Sequence, residues 1–271
     1  MNEPNKVILD LDGLLASMWR DYTEMNPQAK RIWDLFTARG EQVVNDHIAL
    51  RTFNLPRIGV DVLANAFVRA GYQARGTYAF PEKKLVAKHY EAPGRPKVFI
   101  SELQVERFDI TVQRLISELV ITMDASLTGR FDLCVSGRPW SLSFEVYEQL
   151  RESSEYAAWV AAFGFRPNHF TVLVNELQSF DSLQAVNEFL EGQGFLLNDA
   201  GGKIKGSPAV LLEQSSVLAN TIEVPFRDGV HRIPGCYYEF AKRYPVPGGE
   251  LYQGFIASSA DRIFESTDRG Q

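Results

Sequence analysis

The sequence predicts an α+β protein. Two related strand–helix–strand modules form a curved mixed sheet around a cleft, with helices before them and a helical insertion between them. Three observations lead there. Short strand-like segments alternate with longer segments of helical period. A series of strand, helix, glycine, aromatic residue and strand occurs twice. In both copies a histidine, one of only 4 in the chain, stands at the start of the first strand. The expected organisation is a single domain over 1–271: a helical lead-in (1–45), a first module (46–103), a helical insertion (104–165), and a second module with closure of the site (166–258).

In the lead-in, Leu14, Leu15, Met18, Trp19 and Tyr22 recur at helical spacing. Asn26-Pro27 marks a turn, and Ile32, Trp33, Leu35 and Phe36 continue the pattern to Gly40. These helices are expected to cover a sheet. Residues 46–53, DHIALRTF, then alternate His47, Ala49, Arg51 and Phe53 with Ile48, Leu50 and Thr52, a strand with both faces occupied. A loop with Pro56 and Gly59 leads into VDVLANAFVRAGY, an amphipathic helix that Gly71 ends. The second copy starts at NHFTVLVN (168–175) and continues into DSLQAVNEFLEGQGF, with Asp181 as the expected N-cap and Gly192 or Gly194 as the stop. An acid or amide precedes each histidine, and an aromatic residue, Tyr72 or Phe195, follows each helix. KVFISEL (97–103) and AVLLEQ (209–214) are read as equivalent strands. Between the modules, 104–127 and 141–163 carry helical periodicity, broken by GRFDLCVSGRPW. The polar tail after Ser258 is expected to fray.

Composition narrows the function. The chain has 271 residues, 45% hydrophobic and 12% aromatic, enough for a sizeable core. Its 28 Lys and Arg face 34 Asp and Glu, a formal charge of −6, which argues against a nucleic-acid partner. Cys134 and Cys236 form no CxxC pair and read as reduced thiols. No apolar run approaches the roughly 20 residues needed to span a bilayer, so no membrane partner is expected. The N-terminus lacks the basic start and long apolar run of a signal peptide, and the expected location is the cytoplasm.

The histidines are His47, His89, His169 and His231, and no HExxH motif occurs. GGKIKGSP resembles a phosphate loop but has no Lys before Ser207, so it reads as a flexible turn. If the modules pair about a pseudo-twofold axis, His47 and His169 face one cleft from equivalent positions. Two neutral imidazoles and a carboxylate on one side of a metal form the facial triad of non-haem Fe(II) oxygenases. Glu239, in CYYEFAKRYP, shares a strand face with Tyr237 and Ala241; Glu102 and Glu213 are alternatives at matching repeat positions. The competing readings are a histidine satisfied within the core and a Glu239 pointing into solvent. His89 and His231 are both expected at the surface. Arg51 follows His47 on the same face about 13 Å along the strand, where its donor fork suits the carboxylate of a ligand or a surface acid.

The segments NDHIALRTFN, FPEKKLVAKHY, KVFISELQVER, RPNHFTVLVN and IPGCYYEFAKRYP together resemble the 2-oxoadipate dioxygenase/decarboxylase family, which has a vicinal-oxygen-chelate type of fold. The resemblance runs from the N-terminal helices to about Pro245. It implies Fe(II) ligands His47, His169 and Glu239, and a substrate carboxylate held by Arg51. The implied reaction converts 2-oxoadipate and O2 to 2-hydroxyglutarate and CO2, a step in lysine breakdown. Two other classes fit the same scaffold: a Zn(II) or Ni(II) hydrolase or isomerase, and a non-catalytic ligand-binding module.

Overall fold

A computed structural model of the chain describes residues 10–267. The signal-peptide reading rests largely on residues 1–9, which lie outside that range. The lead-in folds as α1 (Leu11–Met25) and α2 (Pro27–Ala38). Asp10 caps α1 by accepting from the Gly13 N–H, and Pro27 sits at the start of α2, where its missing N–H costs nothing. Leu14, Met18 and Tyr22 form the buried stripe that the periodicity predicts.

The first module is β1 (Asn45–Phe53), α3 (Val60–Arg69), β2 (Gln73–Phe80), β3 (Leu85–Glu91) and β4 (Lys97–Leu103). The insertion contributes α4 (Ile110–Ile121), α5 (Phe144–Ser153) and α6 (Glu155–Phe163). The second module is β5 (Pro167–Leu173), α7 (Leu183–Gly192), β6 (Lys205–Ser207) and β7 (Leu212–Ser216). It is completed by β10 (Tyr237–Arg243) after a separate hairpin of β8 (Thr221–Phe226) and β9 (Gly229–Pro234). α8 (Ala257–Ile263) follows.

The main sheet has eight strands in the order β2-β3-β4-β1-β5-β10-β7-β6. β1 and β5 are antiparallel at its centre, and each has a parallel neighbour on its other side, β4 and β10 respectively. The order is therefore symmetric about the β1–β5 seam, as two fused strand–helix–strand–strand–strand modules of the vicinal-oxygen-chelate type require. Alternation divides the seam residues between two faces. Phe170, Tyr238 and Phe240 pack outward, where Trp19, Tyr22 and Phe36 of the lead-in helices meet them edge-on or tilted. His47, Ala49, Arg51, His169, Thr171, Tyr237 and Glu239 lie on the inward, concave face.

Several expectations change. KVFISEL is β4, whose counterpart across the seam is β10 rather than the 209–214 segment. The periodicity could not show this, because the β8–β9 hairpin separates β10 from the rest of its module. Ser182, not Asp181, caps α7, accepting from the Ala185 N–H. GGKIKGSP supplies the edge strand β6, with Lys205 pairing Gln214, so it is not a flexible turn. The polar tail does not fray within the described residues: α8 crosses the concave face, touching β2 at one edge and β6 and β7 at the other, and Ser266 and Thr267 are buried. No helix among the described residues is long and apolar enough to cross a membrane.

The entry into β5 depends on Gly164, which ends α6 at φ 66°. A Cβ there would lie 2.2 Å from the Gly137 carbonyl oxygen, to whose residue Phe165 is paired in an isolated bridge. Gly164→Ala should cost about 2–4 kcal/mol, from forced φ and a backbone collision together. Urea unfolding would measure it, and a loss under about 0.5 kcal/mol would show that the bridge gives way easily.

Candidate metal centre

Register brings the residues together. His47 on β1 pairs with Thr171 on β5, and Thr171 pairs with Glu239 on β10. One row lower, Ala49 pairs with His169, and His169 with Tyr237. Two rows of the concave face thus hold both histidines and the carboxylate. The ligand atoms of His47, His169 and Glu239 all lie within 4.8 Å of one another. Nε2 of His169 is 3.2 Å from Glu239 Oε2, and Nε2 of His47 is 3.7 Å from Oε1. The residues are 3%, 4% and 1% exposed, so none points into solvent.

Each ring is oriented from behind. Asp46 Oδ1 lies 2.8 Å from His47 Nδ1, and Asn168 Oδ1 lies 3.0 Å from His169 Nδ1. The oxygens accept from the Nδ1–H, which fixes the tautomer and presents the Nε2 lone pair to the centre. Asp46 is itself clamped by Arg243, through Nε at 2.5 Å and Nη2 at 2.8 Å. Burial opposes the Asp46 charge, but the Arg243 guanidinium holds the carboxyl well below the usual range. Arg243 is fixed in turn by the carbonyls of Tyr252 and Gly254, each at 2.8 Å.

The electrostatics suit a divalent cation. Burial lowers the pKa of His47 and pushes that of His169 well down, so both rings are neutral. Burial also raises Glu239 to about 8, with Asp46 adding to the effect, although Gln214 donates to its Oε1 at 2.6 Å. A buried carboxylate without a cation of its own beside two neutral imidazole lone pairs is a set that a metal ion would satisfy. Thr171 Oγ1, 3.1 Å from His47 Nε2, meets the same lone pair.

Arg51 is on the same face and 1% exposed. Tyr156, Trp159 and Phe264 surround its guanidinium at 5.0, 5.3 and 5.5 Å. Its Nη2 reaches Thr267 Oγ1 at 3.5 Å and its Nη1 comes within 3.8 Å of Glu155, but Nε and Nη1 make no hydrogen bond. The expected alternative, an ordinary pair with a surface acid, is thus only loosely made.

The other residues singled out by the sequence fall elsewhere on the structure. Glu102 accepts from the Val60 N–H at 2.8 Å at the start of α3, and Glu213 accepts from Tyr244 at 2.6 Å. Neither is near the triad, and they are not equivalent, since β4 matches β10. The position that does correspond to Glu239 is Phe99: Ala49 pairs with Phe99 on one side of the seam as Thr171 pairs with Glu239 on the other, each two residues beyond its histidine. His89 is buried rather than superficial, held between Tyr78 and Glu91, each at 2.9 Å. His231 lies on β9, not in a turn, and is half-buried against the Phe144 ring at 3.7 Å. Thr171, Gln214 and Tyr237 were not singled out by sequence pattern. Tyr237 was within its reach, since it stands two residues before Glu239 on the same face. Gln214 had no signal.

The sequence profile of the family described as 2-oxoadipate dioxygenase/decarboxylase matches residues 14–134 and 132–249. A chloroplastic 2-oxoadipate dioxygenase/decarboxylase of Arabidopsis thaliana is 35% identical over 291 residues, covering 96% of this chain and 78% of the relative. Among solved structures, the hydroxyglutarate synthase of Oryza sativa in complex with 2-oxoadipate superposes with a TM-score of 0.89 at 31% identity, covering 99% of this chain and 98% of that one. A Shewanella frigidimarina protein named as a hydrolase superposes with a TM-score of 0.88 at 48% identity, covering 93% and 100%.

Two outcomes follow for metal binding. The metal-free protein keeps Glu239 protonated below about pH 8, so metal capture should release a proton there, and affinity should climb with pH until about 8. The sign for folding is the reverse. Glu239 binds its proton more tightly in the folded chain than at its ordinary 4.5, so chelator-treated protein should lose stability as pH rises from about 4.5 to 8. Calorimetry in buffers of different ionisation enthalpy reads the proton release, and pH-independent affinity would refute it. Separately, Asp46→Asn should weaken metal binding about 10- to 100-fold by loosening the His47 tautomer. A competition titration against a chromophoric chelator checks this.

Proposed function

The chain belongs to the 2-oxoadipate dioxygenase/decarboxylase family, and we propose that it is an Fe(II)-dependent enzyme that converts 2-oxoadipate or a close 2-oxo acid, with O2, to 2-hydroxyglutarate or its analogue and CO2. The observation that carries this reading is the convergence of His47, His169 and Glu239 beside a buried Arg51 whose Nε and Nη1 make no hydrogen bond. Two histidines and one carboxylate occupy one side of a cation and leave positions for a chelating acid and for O2.

His47 and His169 would hold the iron through Nε2 and Glu239 through a carboxylate oxygen. Bound Fe(II) would supply the electron transfer to O2 that no side chain here can provide. The rest is the work of the chain. Asp46 and Asn168 keep the imidazoles turned inward. Gln214 pins one oxygen of Glu239, so the other is free to face the cation. Arg51 would pair its fork with a carboxylate of the 2-oxo acid, and its aromatic surroundings strengthen that pairing by excluding water. Phe255 closes the opposite side, 4.9 Å edge-on from His47 and 4.9 Å from Phe99, which keeps the centre dry.

A hydrolase on the same scaffold, with a redox-inert metal, is the rival reading, and the name of the Shewanella neighbour gives it a place in the test. With Fe(II) added anaerobically, O2 admitted afterwards should be consumed one for one with 2-oxoadipate. One labelled oxygen atom should enter the new carboxylate and one the hydroxyl group. Turnover without O2 would replace the dioxygenase with the hydrolase. Arg51→Lys should keep its iron yet lose about a hundredfold in kcat/KM, because a point charge cannot match the bidentate fork. Unchanged kinetics would return Arg51 to a structural role.

A further inference from the structure

Tyr237 lies on β10 two residues before Glu239 and pairs across the sheet with His169. Its ring stacks on the His169 imidazole at 4.5 Å and 27°. Its backbone is held from outside: the Tyr22 hydroxyl donates to the Tyr237 carbonyl at 2.5 Å, and Trp159 Nε1 donates to the Gly235 carbonyl at 2.9 Å. The side chain is completely buried. A tyrosine hydroxyl keeps its proton at neutral pH and is available as a donor.

The hydroxyl interacts with the Arg51 guanidinium, itself only a donor, and neither the hydroxyl nor Nε and Nη1 of Arg51 has a partner within hydrogen-bond distance. Leaving one buried donor unpaired costs on the order of a lost hydrogen bond, and folded chains rarely tolerate it without cause. Here three unpaired donors, two of them on a cation, occur together beside His169. Glu155, 3.8 Å from Arg51 Nη1, lies beyond hydrogen-bond distance. Such a cluster is matched by an oxygen-rich anion that arrives from outside. A backbone fixed on both sides and a ring fixed by stacking leave the hydroxyl little freedom, so it is oriented before the anion binds.

We propose that Tyr237 is a ligand-binding residue of this site, whose hydroxyl donates to the same carboxylate that the Arg51 guanidinium pairs with. The pair forms a three-donor clamp: the guanidinium supplies charge, and the phenol fixes the rotation of the carboxylate about the guanidinium plane. This rests on the 2-oxo acid reading above and extends it to a residue that the ligand triad does not include. It also separates two properties that usually fall together. Removing a hydroxyl that has no partner in the free protein relieves a buried polar group, so folding should not suffer. Removing it from the bound state deprives a carboxylate of a donor, so binding should.

The test compares the full chain with Tyr237→Phe, both loaded with Zn(II) so that no turnover intervenes. Calorimetric titration with 2-oxoadipate should show binding about 10- to 100-fold weaker in the variant, the range for a hydrogen bond to a charged group. Zinc affinity should be unchanged and the thermal midpoint equal or higher, since the stacked ring remains. Equal 2-oxoadipate affinity in the two proteins would overturn the proposal. A midpoint several degrees lower with unchanged affinity would also overturn it, and would assign the hydroxyl to the fold. If 2-oxoadipate and shorter 2-oxo acids fail to bind even the parent protein, the 2-oxo acid reading itself falls and takes the clamp with it.

Discussion

The centre of this protein depends on the antiparallel pairing of β1 with β5. The two strands come from opposite sides of a long helical insertion, and no local interaction draws them together. Once paired, their register decides everything on the concave face. Setting His47 opposite Thr171 and Ala49 opposite His169 staggers the two imidazoles by one row, and β10, running parallel to β5, brings Glu239 level with Thr171. A slip of β1 by one residue would turn His47 outward into the aromatic layer under α1 and α2. Trp19, Tyr22 and Phe36 therefore protect the site without touching it: they fill the outer face so fully that only one register buries Phe170, Tyr238 and Phe240.

Behind the ligands runs a line of charge whose members each have a partner. The Tyr252 and Gly254 carbonyls hold Arg243, Arg243 holds Asp46, and Asp46 holds His47. A buried ion pair seldom adds much stability over an apolar substitute, so its use here is orientation. The other histidine has only the neutral Asn168 behind it. The imidazole backed by a carboxylate is the more basic of the two, and the two sides of the candidate centre are therefore electronically unequal although their backbones match.

Much of this was legible in the sequence, for physical reasons. The helices of the lead-in show because burial on one side imposes a period that single residues cannot hide. The two histidines show because duplicated modules keep equivalent positions in register, and a rare residue type makes coincidence visible. Arg51 shows through even spacing from His47. What failed was assignment across distance. Glu102 and Glu213 looked equivalent because both lie near the ends of strand-like runs, yet the β8–β9 hairpin had displaced the true counterpart of β4. His89 looked superficial because it follows Lys88 in a polar, hairpin-like stretch, while strand alternation turns its ring inward. The segment after Ser258 looked loose because small polar residues carry no period, and it is buried because α8 spans both edges of the sheet. Only tertiary packing decides such cases.

The match between Phe99 and Glu239 has a consequence for how many ligands the fold can offer. A strictly duplicated scaffold presents donors in pairs: a histidine from each central strand and a further side chain from each parallel neighbour. Here the second pair is broken. One member is a carboxylate, and the other is a phenyl ring packed against Phe255 and Tyr78. Twofold symmetry would surround a cation evenly and leave little room for a reactant. Its loss at a single pair of positions makes the centre one-sided, with donors toward the second module and hydrocarbon toward the first. Reactivity in such a scaffold can thus depend on a matching position that offers no ligand, and the aromatic residue there borders the space where the chemistry would take place.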